Sequence, residues 1–129
     1  MITFDALLEA MNKVEASGRK TKVPHGDGGT KIGPLQISQV YFDEAIEWLN
    51  KNGIGLTVRE FTYQWEGCHT WTFSKMIVWA YMNRWARKAL MEGDWERIAR
   101  VHNGGPNGWK KKATLAYWEK VKDALKKVE

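Results

Sequence analysis

Cysteine is almost missing from this chain of 129 residues; Cys68 stands alone. One thiol cannot close an internal disulfide, and three scattered histidines add no metal-ligand spacing to it. Structural zinc is therefore excluded, and the fold must rest on its core alone. Long apolar runs are missing too: the longest, Met76 to Met82, is bounded by Lys75 and Asn83 and is too short to cross a bilayer. At the N-terminus, MITFDALLEAM places Asp5 and Glu9 inside its apolar stretch with no basic residue before it. It does not read as a secretory signal, and with the lone cysteine it predicts synthesis in a reducing cytoplasm. Internal repeats, low-complexity tracts and linker-like segments are also absent, so residues 1–129 are expected to form one domain.

What is present is globular: 43% hydrophobic and 27% charged residues argue against disorder. The net charge of +5 is unevenly placed. Basic and acidic residues nearly balance up to Asn83, whereas the remainder carries the basic excess, including Lys110, Lys111 and Lys112. Such a surface suits a polyanion such as nucleic acid, anionic lipid or a bacterial wall, and equally an ordinary solvated helix face. Eight tryptophans are too many for the core alone. Exposed aromatic faces stack on sugars or bases, which leaves glycan and single-strand binding both open.

The hydrophobic pattern is mainly helical. Phe4, Leu7, Leu8, Met11 and Val14 recur at helical spacing, with Thr3 as N-cap, and predict a helix to about Ala16 that stops at Gly18. Residues 18–35 hold glycines, prolines and basic residues without helical period and read as loop, with a small irregular hairpin near Lys22 to Ile37. Long irregular insertions of this kind in compact domains are usually functional. A second helix is expected from Ser38 to before Gly53, and a short one from the Thr57–Glu60 capping box. One long helix is expected from Thr72 to Leu90, closed by Gly93. Another, capped by Asp94, leads to a compact turn at Gly104 to Gly108, and a last covers roughly Ala113 to Lys127. The class is mainly α, an α+β fold with a small β/loop segment after the first helix.

Two carboxylates stand out. Glu15 falls in the last helical turn, in Val14-Glu15-Ala16-Ser17-Gly18, where the negative end of the helix dipole opposes ionisation, as a general acid at neutral pH requires. A solvent-facing glutamate without a special role would look the same. Asp27, inside His25-Gly26-Asp27-Gly28-Gly29, has glycine neighbours that let backbone approach a ligand, or that simply make a turn. A Glu and an Asp facing each other across a groove would form the pair needed for glycoside hydrolysis. His102 reads better as a hydrogen-bonding residue that orients the following turn than as a proton carrier. Trp79 and Trp118 are expected in the core, Cys68 as a small buried hydrophobe, and Trp65, Trp71 or Trp85 as candidates for stacking on sugar.

Further motifs follow in order: Gly33-Pro34-Leu35-Gln36-Ile37-Ser38, then Ala80-Tyr81-Met82-Asn83-Arg84-Trp85, then Ile98 through Gly108 (IARVHNGGPNG) with Thr114, Tyr117, Trp118 and Val121 behind it. This series resembles the invertebrate-type, destabilase-like lysozymes over nearly the whole chain, the run His102 to Gly108 being its most specific part. The resemblance implies a lysozyme-like fold and a muramidase that cleaves peptidoglycan between N-acetylmuramic acid and N-acetylglucosamine. It implies Glu15 as acid and Asp27 as nucleophile or stabiliser, with Gln36, Ser38, Tyr41, Tyr81, Arg84, His102, Asn103, Gly104 and Gly105 lining the groove. No metal or organic cofactor would be required. The implied partner is bacterial peptidoglycan, with no nucleic acid, no membrane insertion and a monomer expected. The chain departs from the family's disulfide-rich, secreted pattern: Trp109 stands where a half-cystine usually follows, and the stretch between Asp27 and Gly33 is one residue shorter. Those departures suggest a phage or bacterial lytic enzyme made inside the cell and released by another route to act on the wall. Two rivals remain: a lytic transglycosylase using Glu15 alone, and a non-catalytic basic, aromatic module binding glycan or nucleic acid.

Overall fold

The computed structural model describes residues 1–54 and 63–128. Helix α1 runs Phe4–Ala16. Thr3 caps it by accepting from the Ala6 amide, and Leu7, Leu8 and Met11 put its apolar stripe fully into the core. Ser17 closes it in the left-handed region (φ 54°), and Gly18 follows with φ 82°. Beyond a 3-10 turn at Asp27–Gly29 comes a two-strand antiparallel hairpin, β1 Lys31–Ile32 and β2 Ile37–Ser38, in register Lys31 to Ser38 and Ile32 to Ile37. Gly33 in its turn has φ 79°, and a Cβ there would collide with the Cys68 carbonyl, so both conformation and space demand glycine.

Helix α2 spans Gln39–Lys51, capped by the Ser38 hydroxyl. A 3-10 segment, Trp65–His69, leads into α3, Trp71–Trp85. Then come α4 (Arg87–Glu92), α5 (Trp95–Gly104, capped by Asp94), a 3-10 turn at Gly108–Lys110, and α6 (Thr114–Val128). Helix α1 packs on α6, α2 on α3 and α5 on α6. One core runs through all of them, from Leu7 and Leu8 through Leu49, Ile77 and Met82 to Ile98, Val101 and Val121. The short helix expected from Thr57 lies outside the described residues.

The expected single helix from Thr72 to Leu90 is instead two, broken at Ala86 (φ −146°, ψ 37°). No proline or glycine marks the break, and apolar spacing continues through Ala86, Ala89 and Leu90, so the period conceals it. The joint is tertiary in origin. Trp85 Nε1 donates to Glu44 Oε2 (2.9 Å), and Arg84 Nη1 donates to the Glu44 carbonyl (2.9 Å). These bonds tie the end of α3 to α2 while Ala89 turns into the core. Trp79 also departs from expectation. It is 36% exposed and meets Trp48 edge-on, whereas Trp118 is half-buried against the core and Cys68 is fully buried.

Candidate active site

Glu15 rides on the last turn of α1 and opens onto a cleft of about 420 Å³, whose walls include Ser17, Arg19, Pro24, Gly26 and Gln36. Its side chain keeps only 15% of its exposure. The sequence places it there through the turn of chain at Ser17 and Gly18, which directs residues 19–26 back across the helix end.

Two side chains hold that returning loop. Asn12, one helical turn before Glu15, is completely buried, and its Nδ2 donates to the carbonyls of Arg19 and Pro34, both at 2.9 Å. It thereby fastens the loop and the hairpin turn to α1. Gln36, itself at φ 51°, donates from Nε2 to Gly33 O (3.0 Å) and Pro24 O (3.4 Å). Its Oε1 occupies the space that a side chain at residue 26 would need, so a substitution there would have to displace the Gln36 amide.

Behind the cleft lies a buried polar layer. His102 Nε2 is 3.0 Å from the Leu35 carbonyl and Nδ1 is 2.9 Å from the Tyr41 hydroxyl. A carbonyl can only accept, so Nε2 carries the proton and Nδ1 accepts from Tyr41. Nε2 is also 3.9 Å from Glu15 Oε2. The hydrogen bonds of His102 thus join α5 to α2 and the hairpin turn, not to the turn that follows it. Tyr41 stacks flat on Tyr81 with ring centroids 3.6 Å apart. Burial first, then neighbouring ionisable groups, holds the Tyr41 hydroxyl well above the usual phenol range; burial and Glu44 push Tyr81 up to about 12.

The remaining expected site residues are dispersed. Asp27 does not line the Glu15 cleft: at φ 49° its carboxylate is 66% exposed and pairs with Lys31 at 3.2 Å. Ser38 serves as the α2 cap, and Tyr41 and Tyr81 lie beneath the surface. Arg84 is spent on Glu44, on Glu47 (3.3 Å) and on the face of Trp85 (4.9 Å). Asn103 is exposed, the Gly104 carbonyl accepts from Lys111 Nζ (2.7 Å), and Gly105 turns the chain at φ 85°. Of the tryptophans considered for sugar contact, Trp65 donates to the Ile37 carbonyl and Trp71 sits against the ammonium groups of Lys20 and Lys75. Trp85 remains 36% exposed.

Sequence reasoning missed Asn12 and Arg100. Asn12 was visible as a polar residue bordering the apolar stripe of α1, beside Met11 and one turn beyond Leu8. Arg100 braces the turn after α5 through Thr114 Oγ1 (2.9 Å), Glu96 (2.9 Å) and the Lys111 carbonyl (3.0 Å), contacts that no sequence spacing announces. Among the described residues no cluster of three or more His, Cys, Asp or Glu could hold a metal ion, and no helix is long and apolar enough to cross a membrane.

Residues 5–124 match the family model described as Destabilase. This chain belongs to the destabilase family. Among curated relatives, a lysozyme of Meretrix lusoria is 28% identical over 121 residues, covering 93% of this chain and 88% of its own length. A lysozyme of Ostrea edulis is 31% identical, and an invertebrate-type lysozyme of Ruditapes philippinarum 33%; each match covers 92% of this chain and 79% of the relative. In structure, this destabilase-family chain is similar to one in the crystal structure of Aeromonas hydrophila PliI in complex with Meretrix lusoria lysozyme. The TM-score is 0.68 at 23% identity, with 95% of this chain and 93% of that one covered. The fold is lysozyme-like, mainly helical with the small sheet expected.

Proposed function

We propose that this destabilase-family protein is a muramidase that hydrolyses the β-1,4 linkage between N-acetylmuramic acid and N-acetylglucosamine in bacterial peptidoglycan. The observation that carries the reading is Glu15: a largely desolvated carboxylate at a helix end, facing a cleft beside a glycine-rich loop, in a chain whose relatives are lysozymes. Glu15 in its protonated form donates to the glycosidic oxygen. The Asp27 carboxylate then attacks the anomeric carbon or stabilises the oxocarbenium-like transition state, and water completes the cleavage; the handling of charge by two carboxylates is the general logic of retaining glycosidases. For that role Asp27 must leave Lys31 and turn towards the cleft when sugar binds.

The pairing of Asp27 with Lys31 favours one second reading, a lytic transglycosylase in which Glu15 works alone and an anhydro-sugar end forms without water. Mass spectrometry of digested peptidoglycan separates the two. Reducing ends from the wild type, together with a large loss of rate in Asp27→Asn, support the muramidase; anhydro ends with an active Asp27→Asn support the transglycosylase. No soluble product from either protein contradicts both readings.

A further inference from the structure

The Glu15 carboxylate has lost most of its contact with water, yet among the described residues it accepts no hydrogen bond. Its recorded polar neighbour, His102 Nε2 at 3.9 Å, aims its proton at the Leu35 carbonyl instead. Close by, on α6 where that helix packs against α1 and α5, Tyr117 has its ring centroid 6.4 Å from that of His102. Its hydroxyl is buried and has no hydrogen-bond partner among the described residues. A carboxylate lacking a donor and a hydroxyl lacking an acceptor thus share the same imidazole as neighbour. Buried polar groups are almost always paired, so an orphan of this kind requires a reason.

We propose that Tyr117 is a positioning residue for Glu15, its hydroxyl donating to the carboxylate, directly after a small side-chain adjustment or through one bridging water, once Glu15 has released its proton. The proposal rests on Glu15 as the acid. Hydrogen bonds used in catalysis are often long in the substrate-free enzyme and shorten in the reacting complex. The ionisable groups around Tyr117 are Glu15 on α1, His102 on α5 and Tyr41 on α2. Tyr41 already donates to His102, which leaves Tyr117 as the uncommitted donor of the set. Burial, then the Glu15 charge, holds its phenol well above the usual range, so it stays protonated while the enzyme works. No proton leaves Tyr117 in this step: the Glu15 proton goes to the glycosidic oxygen, and the phenol only donates a hydrogen bond to the carboxylate left behind.

Tyr117→Phe deletes the hydroxyl and little else. The expected result is a kcat about tenfold lower with KM within about twofold, because the lost contact is made after proton transfer begins. The alkaline limb of the pH–rate profile should move up by about half to one pH unit, since the carboxylate loses a donor that favours its ionised form. At acidic pH, where the proposal leaves the hydroxyl without its acceptor, Tm should stay or rise, because an unpaired buried hydroxyl has been removed. Wild-type kcat with an unmoved pH profile overturns the proposal, as does a lower Tm with an unmoved profile, the mark of a purely structural hydroxyl. A second measurement needs no turnover. In protein carrying 13C-labelled tyrosine, the Tyr117 Cζ resonance should follow an acidic titration in the wild type that is absent in Glu15→Gln; a wild-type resonance without that titration overturns the pairing. A fully active Glu15→Gln would overturn the acid assignment beneath the proposal, and the resonance would still decide whether the two side chains pair.

Discussion

Asn12→Leu is the substitution that best isolates how the fold holds the loop against the end of α1. Leucine keeps the branched, four-heavy-atom outline of asparagine, with bulkier methyl groups in place of the amide, while both Nδ2 hydrogen bonds, to Arg19 O and Pro34 O at 2.9 Å each, are lost. A typical internal hydrogen bond contributes about 1 kcal/mol net, and a buried carbonyl left without its donor costs about 1–3 kcal/mol. The opposing gain is the removal of Asn12 Oδ1, which is buried without a partner among the described residues. The balance is a loss of about 2 kcal/mol, or a fall in Tm of about 6–10 °C for a chain of this size. Because Arg19 lines the cleft and Pro34 sits in the hairpin turn, lysis should also drop at temperatures where the variant remains folded. Differential scanning calorimetry with turbidity assays on bacterial walls measures both effects. A Tm within about 2 °C of wild type, or unchanged lysis, would show that Asn12 does not hold the loop.

Stability should decline on the alkaline side. Burial raises Cys68 from 9.0 and Tyr81 from 10.0, each to about 12, and holds Tyr41 and Tyr117 well above 10.0. The unfolded chain therefore releases these protons first, so their contribution is complete below about pH 9 and is lost as pH rises towards 12, by up to about 1.4 kcal/mol per pH unit for each proton that folding retains. Urea titrations at pH 8, 9.5 and 11 should give falling midpoints, and a flat series would refute the assignment. Replacing Lys110 and Lys112 together with Gln should weaken attachment to intact walls about threefold to tenfold at low ionic strength. The difference should vanish at high salt, because exposed charges are screened over about 8–10 Å. Lys111 is left in place because its ammonium holds the Gly104 carbonyl. Equal loss at both salt concentrations, or none at either, would exclude an electrostatic role.

The helices were legible because each apolar stripe coincides with a core face: Leu7, Leu8 and Met11 on α1, and Ile98 and Val101 on α5, all end fully buried. The caps Thr3 and Asp94 were legible for the same local reason, each accepting from the first turn, whereas Ser38, expected in the groove, caps α2. The break at Ala86 was not, since it depends on Glu44, forty residues earlier in sequence than Arg84. At the site, the helix-end position of Glu15 followed from period and punctuation. The orientation of Asp27 did not, because a left-handed residue among glycines is steered by a neighbour, here Lys31. Tyr41 and His102 lie 61 residues apart and meet through tertiary packing alone, so the buried polar layer behind the cleft had no signature beyond its residue types.

The most direct test is the rate of wall lysis by Glu15→Gln. The amide keeps the shape of the side chain but has no acidic proton to give, and positioned acids typically contribute about 10²–10⁴ in rate. The folded variant, with wild-type Tm and undiminished attachment to walls, should lose at least about 100-fold in lytic rate. A folded Glu15→Gln protein that clears walls at close to the wild-type rate would contradict the assignment of Glu15 as the acid.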